Sequence, residues 1–212
     1  MARTLPVLYD ISEAAAHLRR SHKSMRKLVE RVGPPTIRRQ AGATAYHALA
    51  RSIVFQQLAG AAASTIYARA AALGEGGRFP EPEALLALSA ERLRAAGLSA
   101  GKQAALKDLA QKTLDGVVPG PRALARMDDA AIVERLTQVR GIGRWTVEMM
   151  LIFHLGRPDV WPTGDYGVRK GYAQVFGLDE HPTPRVLEEL GEPFSPYRSA
   201  AAWYFWRACD AE

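Results

Sequence analysis

Apolar residues recur at three- and four-residue spacings along most of the chain, and alternating β-branched runs are nearly absent. The pattern therefore predicts helices cut by Gly and Pro. Asp10 reads as the N-cap of a helix to about residue 20, resuming to about residue 31, before Gly33-Pro34-Pro35 ends that region. Thr44 opens an Ala-rich helical stretch to about Leu73 with a break at Gly60, and Gly74-Glu75-Gly76-Gly77 is a loop. Residues 82–88, 89–96 and 99–114 read as three more helices, with Ser89 and Ser99 as N-caps and Gly97 and Gly116 as stops. Asp128 or Asp129 caps a helix to Val139, and a strongly apolar helix follows over about 144–155. The last three run from Tyr166 to Phe176, from Thr183 to about Leu190, and from Ser195-Pro196 to Cys209. The predicted class is all-α.

Composition narrows the function. A chain of 212 residues, 48% hydrophobic, can build a core as one domain or as two small lobes. Lys and Arg exceed Asp and Glu by 28 to 22, and the net charge of +6 suits a polyanionic partner without requiring one. The single cysteine, Cys209, excludes an internal disulfide, a four-cysteine zinc site and an all-cysteine iron–sulfur cluster. The N-terminus lacks the apolar stretch of a signal peptide, and no segment approaches the roughly 20 apolar residues of a membrane span. A soluble protein of the cytoplasm (the nucleoid in a bacterium), or of the nucleus in a eukaryote, is the expectation.

The most informative stretch is Val139-Arg140-Gly141-Ile142-Gly143-Arg144-Trp145-Thr146. Two glycines flank one aliphatic residue between two predicted helices. Gly permits positive φ and close approach of the backbone to a ligand. Ile142 points inward and pins the turn, and the second helix opens with unpaired N–H groups. Bare backbone beside a helix N-terminus is a phosphate site, and contact through backbone alone is independent of base sequence.

Asp165 follows Trp145 by twenty residues, in the setting Trp161-Pro162-Thr163-Gly164-Asp165-Tyr166. It reads as the N-cap of the helix from Tyr166, where backbone N–H groups and the helix dipole favour a carboxylate. Breaking an N-glycosidic bond develops oxocarbenium-like charge on the sugar. A fixed carboxylate stabilises that charge and can orient the attacking water. Trp145 and Trp206 are candidates for stacking on an unpaired base, since an indole face attracts an electron-poor or cationic alkylated purine by about 0.5–2 kcal/mol. Gln56-Gln57 interrupts an apolar run and marks a helix end from which a side chain can enter a minor groove. Arg169, Lys170, Lys102 and Arg198 are further cations able to meet phosphate. The five histidines show no metal-ligand spacing.

Taken in order, Gly141-Ile142-Gly143-Arg144-Trp145-Thr146 and Pro162…Asp165-Tyr166 resemble the helix-hairpin-helix DNA glycosylase superfamily. Trp145, Pro196-Tyr197-Arg198-Ser199 and Trp206 resemble its 3-methyladenine DNA glycosylase II branch. Ser52-Ile53-Val54-Phe55-Gln56-Gln57-Leu58 and 93–102 support the match, which covers about 43–208. The resemblance implies a two-lobed helical fold with a DNA-binding cleft, lacking an N-terminal mixed α/β domain. It implies a hairpin-containing lobe over about 100–175 and a second lobe from about 1–99 plus 176–212. It makes Asp165 the catalytic aspartate and Trp145, Trp206 and Met149 the base pocket. Gln57 or Leu58 becomes the minor-groove wedge, and Gly141, Ile142, Gly143, Arg144, Thr146 and Arg169 become DNA contacts. A structural Na⁺ or K⁺ on the Val139 and Gly141 carbonyls is implied, with no other cofactor and no iron–sulfur cluster. Trp145 stands where bifunctional members carry a nucleophilic lysine, which implies hydrolysis by water without strand cleavage. Met149 and Phe55 depart from residues some members carry there. The expected partner of this monomer is double-stranded DNA containing alkylated purines. Two alternatives remain open: a non-enzymatic module for lesioned or bent DNA, and a glycosylase for another lesion class.

Overall fold

A computed structural model describes residues 4–40 and 44–210 of the chain. Helices dominate, as the apolar spacing requires. Their order is α1 (Ile11–Ser21), α2 (Lys23–Val32), α3 (Ala45–Phe55), α4 (Gly60–Ala71), α5 (Pro82–Ala87), α6 (Ala90–Ala95) and α7 (Ala100–Leu114). There follow α8 (Pro121–Leu124), α9 (Asp129–Leu136), α10 (Arg144–Met150), α11 (Tyr166–Phe176), α12 (Pro184–Leu190) and α13 (Arg198–Cys209). The expected caps operate: the side chains of Asp10, Thr44, Ser89, Ser99, Asp128, Asp165 and Thr183 each accept a backbone N–H of the following turn. The helix expected to run to about residue 155 changes winding at Met150, and Leu151–Leu155 is a π-helical turn. The last helix begins at Arg198 rather than at Pro196. Among the described residues, no helix is long and apolar enough to cross a membrane.

One feature departs from the all-α expectation. β1 (Thr4–Pro6) pairs antiparallel with β2 (Arg38–Gln40), with Leu5 opposite Arg39. Strands of three residues are too short to show an alternating pattern.

The chain divides into two compact units, residues 1–41 with 151–212, and residues 42–150. This corrects the expected boundaries near 100 and 175. In the unit of 42–150, α3 packs on α7, and Leu49, Ile53, Leu85, Leu93, Leu98, Leu106 and Leu109 are all essentially buried. Helices α3 to α7 therefore belong with the hairpin, whereas α1 and α2 do not. In the other unit, α11 packs on α13 and both chain ends join one core of Leu18, Met25, Tyr172, Phe194, Tyr204 and Phe205. Tyr204 fixes this arrangement by donating its hydroxyl to Gly33 O at 2.9 Å.

The start of α13 is anchored by an ion pair. Arg198 Nε and Nη2 each donate to Asp159 at 2.8 Å, and Asp159 also accepts Arg198 N–H and the Ser195 hydroxyl. Burial pushes the Asp159 carboxyl up, but Arg198 and Ser195 outweigh it and hold the carboxyl below its ordinary value. A depressed carboxylate stabilises the fold above its unfolded-state pKa of about 3.9, and that contribution disappears as pH falls through the lower folded-state value. Asp159→Asn is therefore expected to cost about 1.5–3 kcal/mol at neutral pH and less below about pH 4. Urea unfolding of both proteins across pH 2.5–7 (roughly the window spanning those pKa values) checks this, and a pH-independent difference contradicts it.

Candidate active site

The hairpin lies between α9 and α10, in the unit of 42–150. Val139 N donates to Leu136 O at 3.1 Å and Ile142 N to Val139 O at 3.0 Å, closing the turn. Gly141 has φ +77, a conformation that L side chains rarely adopt. Ile142 is 4% exposed and pins the turn from inside, while Gly141 and Gly143 are exposed on either side of it. A Cβ at Gly143 would meet nothing within 4 Å, so its bareness leaves backbone open to a ligand. Thr146, expected as a DNA contact, is buried, with 6% of its surface exposed. Arg144 is well exposed, and its Nε donates at 2.8 Å to the buried Glu148.

The implied cation meets competition at its two carbonyls. Val139 O already accepts Ile142 N–H, and Gly141 O accepts the Gln56 side-chain amide at 2.9 Å. Each oxygen keeps a second lone pair, so these hydrogen bonds do not exclude the cation, whose remaining ligands would have to come from other groups.

Trp145 and Met149 come together, one turn apart on α10. They line a cavity of about 400 Å³ with Thr146, Phe55, Gln57 and Arg51. Trp145 is 50% exposed, which a core residue of its size would not be. Arg51 carries its guanidinium 3.9 Å from the centre of the Phe55 ring. α3 ends at Phe55, as the paired glutamines suggested, and Gln57 takes φ +58. Positive φ in a residue with a side chain is uncommon and concentrates at functional loops. Gln57 and Leu58 are both exposed in this loop.

Asp165 and Trp206 come together in the other unit. Asp165 is 9% exposed and is the N-cap of α11. Its Oδ1 accepts Val168 N–H at 2.8 Å and the Trp206 indole N–H at 2.9 Å. The indole is partly exposed and stacks on Phe153 with 5.7 Å between ring centres. Gly167 makes room for it: a Cβ there would lie 2.8 Å from Trp206 Cδ1 and 3.2 Å from Asp165 Oδ1. One turn on, a Cβ at Gly171 would strike Phe205 O at 2.1 Å, so these two glycines let α11 and α13 approach closely.

Several other cations serve the structure. Arg169 Nε donates to Pro182 O at 2.6 Å, Arg198 grips Asp159, and Lys102 Nζ donates to Val54 O at 2.6 Å. Sequence reasoning missed Phe153, Gly167 and the amide of Gln56. A small residue two places after the acid was the available signal for Gly167. The glutamine pair marked Gln56 but not its partner across 85 positions, and nothing local marks Phe153.

The model of the HhH-GPD superfamily base excision DNA repair proteins matches residues 50–196. DNA-3-methyladenine glycosylase 1 of Schizosaccharomyces pombe is 37% identical over 95% of this chain and 89% of its own length. The solved structure of Schizosaccharomyces pombe 3-methyladenine DNA glycosylase in complex with abasic DNA superposes with a TM-score of 0.80, at 38% identity over 92% of this chain and 95% of that one. DNA-3-methyladenine glycosidase from Bacillus halodurans superposes with a TM-score of 0.84, at 30% identity over 99% and 93%. The chain belongs to the HhH-GPD superfamily of base excision DNA repair proteins.

Adding a methyl group at Gly167 displaces the indole from the carboxylate. Gly167→Ala is expected to destabilise the protein by about 1–3 kcal/mol and to alter its tryptophan fluorescence. Thermal unfolding and the emission spectrum measure both, and a wild-type spectrum would show that the indole is not held as described.

Proposed function

We propose that this protein is a monofunctional DNA glycosylase that releases alkylated purines, of the 3-methyladenine and 7-methylguanine type, from double-stranded DNA. The observation that carries the reading is Asp165: a nearly buried carboxylate, gripped by Val168 N–H and by the indole of Trp206. The similarity to enzymes named for 3-methyladenine supports the choice of lesion.

The target nucleotide is flipped out of the duplex, which costs a few kcal/mol and least for a weakened pair. Gln57 or Leu58, exposed where α3 ends, enters the minor groove in its place. The hairpin backbone at Gly141 and Gly143 holds a phosphate, and Trp145, Trp206 and Met149 supply surface for the base. As the bond from C1′ to the base nitrogen breaks, its electron pair leaves with the base and positive charge grows on the sugar. The Asp165 carboxylate stabilises that charge and takes a proton from the water whose oxygen bonds to C1′. The products are a free base and an abasic site. Trp145 holds the position of the family's nucleophilic lysine, so no covalent adduct forms and the strand stays intact. Water is the only co-reactant; the enzyme works as a monomer and requires no cofactor.

On methylated duplex DNA, wild-type protein is expected to free modified purines and to leave a backbone that breaks only on alkali treatment. Asp165→Asn should release them about 10²–10³-fold more slowly with DNA affinity retained. Chromatography of the released bases measures the effect. Equal rates for the two proteins, or a borohydride-trapped adduct, would overturn the mechanism. Affinity for duplex should also fall linearly with salt on logarithmic axes if phosphate contacts dominate, and a flat response would exclude them.

A further inference from the structure

Lys102 lies in the first turn of α7, yet its side chain serves a different element. Its ammonium donates to Val54 O at 2.6 Å and to Gln56 O at 3.0 Å, closing the carbonyl end of α3. Burial pulls its pKa below the ordinary lysine value. The residue so held, Gln56, then sends its own amide to Gly141 O at 2.9 Å. The same α7 touches the hairpin again further along. Asp108 accepts Arg140 N–H at 2.7 Å, and Lys112, paired with Asp108 at 2.9 Å, donates to Gln138 O. Between these grips, Ala105 is the atom a Cβ on Gly141 would meet, at 3.5 Å. Residues 102, 105, 108 and 112 follow helical spacing, so one face of α7 carries every contact.

We propose that Lys102 and Gln56 are positioning residues that lock the 56–58 loop to the hairpin, so that the inserting side chain and the phosphate-holding backbone keep one fixed separation. This rests on the glycosylase reading above. Neither residue touches the reacting atoms. The lock acts on insertion, because the loop's strained member, Gln57 at φ +58, directly follows the residue held at both its carbonyl and its amide. Without the lock the loop relaxes, and the energy of pushing a side chain into the stack is spent on moving the loop instead. The hairpin keeps its phosphate contact, because Asp108 and Lys112 hold it independently.

The test uses the full chain and a duplex with 2-aminopurine beside a lesion, so that fluorescence reports local unstacking. Single-turnover release, affinity for undamaged duplex and thermal midpoint are measured on the same proteins. Gln56→Leu and Lys102→Met are each expected to lower the unstacking signal and to slow release by about tenfold. Affinity for undamaged duplex should stay within about threefold, a shift of less than one hydrogen bond. Lys102→Arg, which can still donate to both carbonyls, should restore release, and the double variant should be no worse than the poorer single one because the two contacts act in series. Wild-type unstacking and release in Gln56→Leu, a residue whose loss leaves the core intact, would overturn the proposal. So would losses of release that only track the thermal midpoint or the affinity for undamaged duplex. A wild-type protein that neither unstacks nor releases any base would instead remove the glycosylase reading, and the lock's role with it.

Discussion

The unit formed by the chain's two ends is organised around a carboxylate kept out of water. Such a group is tolerable in the interior only when N–H donors meet it. Asp165 meets one donor by capping its own helix and another from a helix forty residues further on. The second donor comes from α13, and its placement propagates. α13 must approach α11 closely, which is why Gly167 and Gly171 carry no side chain where they face it. Trp206 must hold its ring plane, and Phe153 stacked beneath it supplies the support. The Asp159–Arg198 pair then fixes where α13 begins. Each element is explicable as a condition for holding one acid at one angle.

In the function proposed above, the other unit solves a different problem, that of gripping a polymer whose sequence is irrelevant. Backbone is suited to this, because N–H groups read phosphate and not bases. Ile142 buries itself so that its two glycine neighbours can stay bare. Selectivity then falls to stacking and to the cost of opening a base pair, terms of a few kcal/mol each.

Legibility in the sequence followed range of interaction. Caps at Asp10, Ser99, Asp128 and Asp165, and the turn at Gly141, are local chemistry, and each was readable from a few neighbouring residues. The pairing of Asp165 with Trp206 was readable as two candidates but not as a hydrogen bond, since nothing local says which residues meet across 41 positions. The pairing of β1 with β2 was hidden because three residues show no alternation. The division into units was misjudged for a related reason. The hairpin drew attention to its own helices, whereas α3 joins them through packing on α7 that no short motif announces. Lys102 looked like a free cation because a carbonyl end in need of a donor has no residue signature.

The discontinuity of one unit bears on how the protein is made. Residues 42–150 are contiguous, so that unit can complete its core as soon as its last helix leaves the ribosome. The N-terminal helices α1 and α2 have no such option. Their apolar face, with Leu18, Met25 and Leu28, stays incompletely covered until α13 arrives, and the Tyr204–Gly33 bond spans 171 positions. At roughly 5–20 residues per second of synthesis, that face waits on the order of ten seconds or more. During nascent-chain growth the first helices are therefore the stretch most in need of a chaperone, although in the finished enzyme they lie farthest in sequence from the residues that seal them.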